Sequence, residues 1–306
     1  MIKRKVINLL NKYRTKILII CINYCNEKDL FNYLNSLAKC TLNNNIEVYV
    51  VDNSEEKKLD ELHLKKIFTN TTLVSADENL GYFGGANCGF NKFKSNNDYV
   101  PQWVIVSNTD LEFKNSNFFN DLNKYCDLNK LGVIAPSIIS GITKSDQNPH
   151  LLKRPSHIKM ILLKMLFTNY IIFSLYHALY DFKRILKKTI LELIKVFKLN
   201  DNSPDIKQIY AAHGSFLIIH KNYFLKGGNL NYHSFLYGEE FFLAENIKKI
   251  NLSIYYVPIL QIHHREHATT GRIPSKKIHN FILNSYKMNN KAFFPFLNFF
   301  KKGDLK

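Results

Sequence analysis

The stretch Lys16-Ile-Leu-Ile-Ile-Cys-Ile-Asn-Tyr-Cys-Asn26 decides how the chain is read. Ile17 to Ile22 is a continuous apolar run, as expected of a strand covered on both faces. Asn23-Tyr24-Cys25-Asn26 breaks it, and Glu27 to Lys39 then has helical spacing through Leu30, Leu34 and Leu37. The alternation continues downstream. Glu47-Val-Tyr-Val-Val51 predicts a second strand ending in Asp52-Asn53-Ser54, and Thr72 to Ser75 a third, followed by the Gly-rich Glu78-Asn-Leu-Gly-Tyr-Phe-Gly-Gly-Ala-Asn87. Trp103 to Val106 predicts a fourth, closed by Ser107-Asn-Thr-Asp110, and Gly132 to Ile139 a fifth. Strands alternating with helices imply an α/β chain with a single, mostly parallel, doubly wound sheet flanked by helices. Ligands of such sheets sit at the carboxyl ends of the strands. Asn23, Asp52, Asn79 and Asp110 all fall just past strand ends. One Asp there is commonly a turn or a helix cap, but four polar positions aimed at one edge predict a pocket.

Composition bounds the partners. The chain has 306 residues, 46% of them hydrophobic and 22% charged, so it is globular rather than disordered. Lys plus Arg number 42 against 25 Asp plus Glu, a net charge of +17. That excess suits nucleic acid, an anionic membrane or a phosphorylated substrate, or reflects a Lys- and Asn-rich composition with no functional meaning. The five cysteines (Cys21, Cys25, Cys40, Cys88 and Cys126) have no CxxC spacing. They predict neither a zinc knuckle nor a disulfide framework, and a reducing compartment fits them. Residues 1–16 are basic but interrupted by Asn8, Asn11 and Arg14, unlike a signal peptide.

Taken in order, Ile-Cys-Ile-Asn-Tyr, Val-Val-Asp52-Asn-Ser, the Gly-rich run from Glu78 to Gly89, and Ser-Asn108-Thr-Asp110 resemble the family 2 glycosyltransferases, inverting enzymes with the GT-A fold. Gly214-Ser-Phe-Leu-Ile-Ile, Phe235-Leu-Tyr-Gly-Glu-Glu240, Ile254-Tyr-Tyr-Val-Pro258 and His263-His264 continue the resemblance. Residues 17–140 and 208–270 carry it. The branch is similar to rhamnosyl- and galactofuranosyltransferase-like enzymes of bacterial surface polysaccharide synthesis. The resemblance implies a nucleotide-sugar-binding half at 17–150 and an acceptor and catalytic half at 206–272. Outside them lie a basic extension at 1–16, a helical insertion at 151–205, and a C-terminal helix and tail at 273–306.

An inverting transfer needs a nucleotide pocket, positive charge to offset the departing diphosphate, and a base for the acceptor hydroxyl. By resemblance Asp52 accepts from the nucleotide, with Asn23-Tyr24 framing the base. Gly81, Gly84 and Gly85 are expected to let backbone approach the donor, with Asn79 and Asn87 bonding its sugar or diphosphate; a simple Gly-rich turn is the plainer alternative. The run is not G-x-G-x-x-G and lacks a P-loop lysine. Asn108-Thr109-Asp110 stands where the family has its D-x-D motif, so Asp110 is the expected ligand of Mn²⁺ or Mg²⁺, and Asn108 is expected at the nucleotide-sugar, able to coordinate through its uncharged carbonyl oxygen. Glu239 and Glu240 open a helix, where carboxylates are also ordinary partners of the helix dipole. By resemblance the pair supplies the base, expected to be Glu240, with Glu239 orienting the acceptor or the sugar and Gly214 and Tyr237 at the acceptor. By resemblance His264 is the expected second metal ligand, against the alternative of an exposed loop pair with His263. Arg265 is placed near the diphosphate.

Residues 165–180 carry no formal charge, but 16 residues are too few to span a bilayer, which takes about 20. Residues 181–198 follow with Leu186, Ile190, Leu193, Ile194 and Phe197 on one helical stripe and Arg184, Lys187, Lys188, Lys195 and Lys198 between them. This predicts an amphipathic basic helix for an anionic leaflet, or else a hairpin packed on its own domain or on a second subunit. The tail Phe293-Phe-Pro-Phe-Leu-Asn-Phe-Phe-Lys-Lys302 has a similar character. The expectation is therefore an enzyme at the cytoplasmic face of the cell membrane. It would move a sugar from a UDP- or dTDP-linked donor to a lipid-linked saccharide for lipopolysaccharide, capsule or a similar glycan. The alternatives are a non-catalytic scaffold of the same fold and a sugar nucleotidyltransferase. No nucleic-acid motif is present.

Overall fold

The computed structural model describes residues 16–41, 45–56, 58–166, 168–175, 178–179, 205–266, 276 and 279–285. The first half alternates as its sequence requires: β1 (Ile17–Asn23), α1 (Glu27–Ala38), β2 (Ile46–Asp52), α2 (Glu61–Ile67), β3 (Thr71–Ser75), α3 (Gly81–Asn96) and β4 (Trp103–Asn108). There follow β5 (Leu111–Glu112), α4 (Phe118–Asn123), β6 (Leu131–Ser140) and α5 (His157–Leu166). The second half supplies β7 (Lys207–Ile209), β8 (Phe216–His220), α6 (Lys221–Leu225), α7 (Glu239–Lys249) and β9 (Ser253–His264).

Both halves enter one sheet, in the order β3-β2-β1-β4-β8-β6-β9-β5, with β7 paired to β9. β1 to β4 are mutually parallel, in the register Ile17↔Ile46 and Ile17↔Trp103. β8 runs antiparallel to both β4 and β6, while β9 lies parallel to β6. The predicted alternation therefore holds, with β8 reversed at the centre and the short β5 and β7 reversed beside β9. Because β8 is reversed, its beginning meets the edge where β1, β2, β4, β6 and β9 end. β9 runs to His264, so His263 and His264 close a strand and are not an exposed loop pair.

Side chains alternate across the sheet. In β1, Ile17, Ile19 and Cys21 join Leu30, Leu34 and Leu37 of α1 and Phe118 and Leu122 of α4 in one core. Leu18 and Ile20 face the other core, beneath Phe83, Ala86 and Phe93 of α3 and Leu243, Ala244 and Ile247 of α7. The Gly-rich run is the start of α3, not an open turn. A Cβ on Gly89 would stand 2.6 Å from Ile20 Cγ2, and one on Gly85 3.1 Å from Asn53 Nδ2. These glycines let the helix lie close on β1 and β2, which outweighs their poor helix propensity.

The start of the insertion is tied to α7: Arg154 grips Glu245 with two bonds of 2.8 and 3.0 Å, and the Tyr210 hydroxyl donates to the same carboxylate at 2.7 Å. Beyond it, Ile158 and Ile171 are more than two-thirds exposed at 71% and 74%. No helix among the described residues is long and apolar enough to cross a membrane. The predicted basic helix at 181–198, the tail at 293–302 and residues 1–15 lie outside the described residues.

Candidate active site

At the shared edge lies a cavity of about 580 Å³, whose walls include Asn108, Asp110, Gly214, Glu239, Glu240 and His264. The carboxylates arrive from the second half of the chain. Tyr237 (φ 69°) and Gly238 (φ 89°) both take the left-handed conformation, turning the chain sharply into α7. Glu239 and Glu240 are thus presented in its first turn, and both line the cavity. Glu240 Oε1 accepts from the Gly214 N–H at 3.2 Å, and a Cβ on Gly214 would come within 2.7 Å of that oxygen.

Glu239 is buried, and that burial, with the charge of Glu240 second, pushes its carboxyl up to about 8. A carboxyl held protonated near neutrality can donate to a substrate oxygen. It also carries a pH signature. The folded chain retains a proton that the unfolded chain releases at an ordinary carboxylate pKa. The contribution to stability is therefore full at low pH and is lost as pH rises toward about 8. Glu239→Gln should flatten this decline when urea midpoints are measured from pH 5 to pH 8. An unchanged slope would disprove the burial argument.

Across the cavity, Asp110 follows β4 and His264 ends β9, and each is 8% exposed. β5 pairs with the end of β9 in the register Leu111↔His264, which brings the two together. Asp110 Oδ2 and His264 Nε2 lie 3.2 Å apart. Adjacent ligands on an octahedral ion with bonds of about 2.1 Å are separated by about 3 Å, so this oxygen and nitrogen fit two neighbouring positions on one hard divalent cation. Two protein ligands leave room for diphosphate oxygens and water. Asn108 lines the cavity beside them, its N–H held by the Ser215 carbonyl at 3.0 Å. His263, the preceding residue on the strand, points to the opposite face.

The residues expected at the nucleotide divide into two groups. Asn79 and Gly81 line the cavity, and the Asn79 side chain accepts from the Gly81 N–H at 3.1 Å. Asn23 and Asp52 lie behind the wall, fully buried: Asp52 Oδ1 accepts from Asn23 Nδ2 at 3.1 Å and from Ser54 Oγ at 2.6 Å. Tyr24, Asn26 and Asn53 stand in front of them on the cavity wall. Gly84, Gly85 and Asn87 sit within α3 and do not line the cavity. Arg265 is directed to Glu112 at 3.3 Å and Asp29 at 4.0 Å, away from the lining. Gly214 and Tyr237, expected near the acceptor, both line the cavity.

Two contributors were not visible in the sequence. His213, immediately before Gly214, lines the cavity, and burial lowers its imidazole to about 4. Its Nδ1 accepts from the Ser215 N–H at 3.3 Å, so Nε2 carries the proton of a neutral ring. Gln147 contacts His264 across 117 positions of sequence, and no local pattern marks it.

No family model and no curated protein matches the sequence. Solved structures do match its fold. A crystal structure of GalNAc-T7 with UDP, GalNAc and Mn²⁺ aligns over 92% of this chain and 51% of its own, with 14% identity and a TM-score of 0.55. The crystal structure of S. aureus TarS aligns over 95% of this chain and 46% of its own, with 13% identity and a TM-score of 0.50. The chain thus spans about half the length of each. The fold is of GT-A type: a mixed α/β sheet flanked by helices on both faces.

Proposed function

We propose that the chain is a metal-dependent inverting glycosyltransferase that moves a sugar from a nucleoside-diphosphate donor to a saccharide acceptor. The observation that carries this reading is the meeting, in one cavity, of the Asp110–His264 pair and the Glu239–Glu240 pair. Glu240, steadied by the Gly214 N–H, takes the proton of the acceptor hydroxyl as its oxygen bonds to the anomeric carbon. The bond from that carbon to the diphosphate breaks, carrying its electron pair to the leaving group. Asp110 and His264 would hold a Mn²⁺ or Mg²⁺ ion that offsets the charge of the leaving diphosphate. Glu239, protonated, orients a substrate oxygen, and Tyr24 and Asn53 frame the nucleotide. The rhamnosyl- or galactofuranosyltransferase-like character remains part of this proposal on the sequence resemblance.

The acceptor we propose is a lipid-linked saccharide used for a surface polysaccharide, met at the cytoplasmic face of the membrane. The net charge of +17 and the exposed Ile158, Leu162, Ile171 and Leu175 support that setting. The test is nucleoside diphosphate release from UDP-, dTDP- and GDP-sugars, with Mn²⁺ or Mg²⁺, with and without a lipid-linked acceptor extract. The expected result is metal-dependent release from one donor, stimulated by acceptor. Absence of nucleotide binding across the panel would overturn the reading.

A further inference from the structure

Gln147 stands between two charged or ligating groups whose chemistry fixes its orientation. One side of its amide lies 2.5 Å from Glu266 Oε1, and a carboxylate only accepts, so the amide nitrogen faces Glu266. The amide oxygen then faces His264 Nδ1 at 2.7 Å. An amide oxygen also only accepts, so Nδ1 carries a proton. In the neutral ring Nε2 is left with its lone pair, directed at Asp110 Oδ2 3.2 Å away. In that state the two atoms are placed to face one shared cation; with Nε2 protonated they pair directly, so a metal ion competes with a proton for the same position.

The segment that carries Gln147 is fastened on both sides. Its own N–H donates to the Ile138 carbonyl at 2.8 Å. Asp146 Oδ1 accepts from the Ile138 and Asn148 N–H groups, each at 2.9 Å, and its Oδ2 accepts from the Tyr256 hydroxyl at 2.7 Å. Asn148 donates to the Pro136 carbonyl and accepts from the His213 N–H, both at 2.8 Å. The turn is thus clamped to β6 and β9, and it reaches the loop whose Gly214 steadies Glu240.

We propose that Gln147 is a positioning residue: through its bond to Glu266 it holds His264 in the one tautomer and ring orientation that offers Nε2, together with Asp110, to a divalent cation. The inference rests on the metal-assisted reading above and adds to it a residue that touches neither metal nor substrate. Outer hydrogen bonds of this kind commonly account for about 10- to 100-fold in metal affinity.

The test measures Mn²⁺ affinity of the full chain with UDP present, from the loss of the free Mn²⁺ paramagnetic resonance signal, so that no turnover is needed. Gln147→Met keeps the length of the side chain and removes both polar atoms; it should weaken Mn²⁺ binding by about 10- to 100-fold. The exchange Q147E/E266Q restores an acceptor for Nδ1 and reverses the second bond, and should return the affinity to within a few-fold of the parent chain. Unchanged affinity in Q147M overturns the inference. So does loss of affinity in the exchanged pair, which retains both bonds and tests the proposal even if Q147M does not fold. A parent chain that binds UDP but no Mn²⁺ overturns the metal-assisted reading itself, a failure distinct from a variant that matches a metal-binding parent.

Discussion

Glu240→Gln is expected to reduce sugar transfer by about 10²- to 10⁴-fold, the usual contribution of a positioned base, with nucleotide affinity nearly unchanged. The amide is close in size to the carboxylate and keeps an oxygen for the Gly214 N–H now 3.2 Å from Oε1. What it loses is the capacity to take a proton. Steady-state transfer and equilibrium nucleotide binding, measured on the same preparation, separate the two. Equal loss of both would remove Glu240 from the role of base. Glu239→Gln is the informative companion. Burial holds Glu239 protonated up to about 8, and an amide also donates, so this variant should transfer sugar far better than E240Q. The reverse ranking would exchange the two roles.

Gly81→Ala should cause the largest loss of stability. Gly81 has φ 73°, where an L side chain is strained, and a Cβ there would lie 1.9 Å from the Phe235 carbonyl oxygen. That neighbour is main chain at the mouth of the cavity, so relief requires moving α3 or the segment leading to α7. Backbone strain and overpacking together predict a loss of about 2–4 kcal/mol, read as a lower urea midpoint at constant slope. Gly84→Ala is the control. Its Cβ would meet only Leu80 Cβ, at 3.1 Å and in the preceding turn, and better helix propensity offsets the crowding. If the two variants had equal midpoints, the close approach at Phe235 would not be what requires glycine.

Much of the first half was legible because its strands are buried on both faces, which leaves a continuous apolar run such as Ile17 to Ile22. The direction of β8 was not legible: an apolar stretch has the same composition whichever way it runs. The helix in the Gly-rich segment was not legible because glycine disfavours helix, but the propensity gives way where Gly85 and Gly89 must pack on β1 and β2. Candidate site residues just past a strand end, such as Asp110, could be located from the strand itself. Gln147 and His213 could not, because their importance comes from partners in other strands and loops. Asp52 stands where the strand pattern puts it, yet its bonds to Asn23 and Ser54 turn it inward, a difference of side-chain direction that spacing does not encode.

The reversed β8 has a consequence for how such a site can diversify. In a sheet of uniform polarity every residue at the active edge lies after a strand, and altering it also alters the way into the next helix. Here His213 and Gly214 lie before a strand, with the Ser215 carbonyl bonded to Asn108 at the end of β4. Strand start and strand end meet as a seam. On one side the chain leaves the sheet carrying Asp110; on the other it enters carrying the peptide that steadies Glu240. On the proposed function, residues that serve the acceptor can vary apart from those that serve the donor, because the two sets reach the edge on strands of opposite direction.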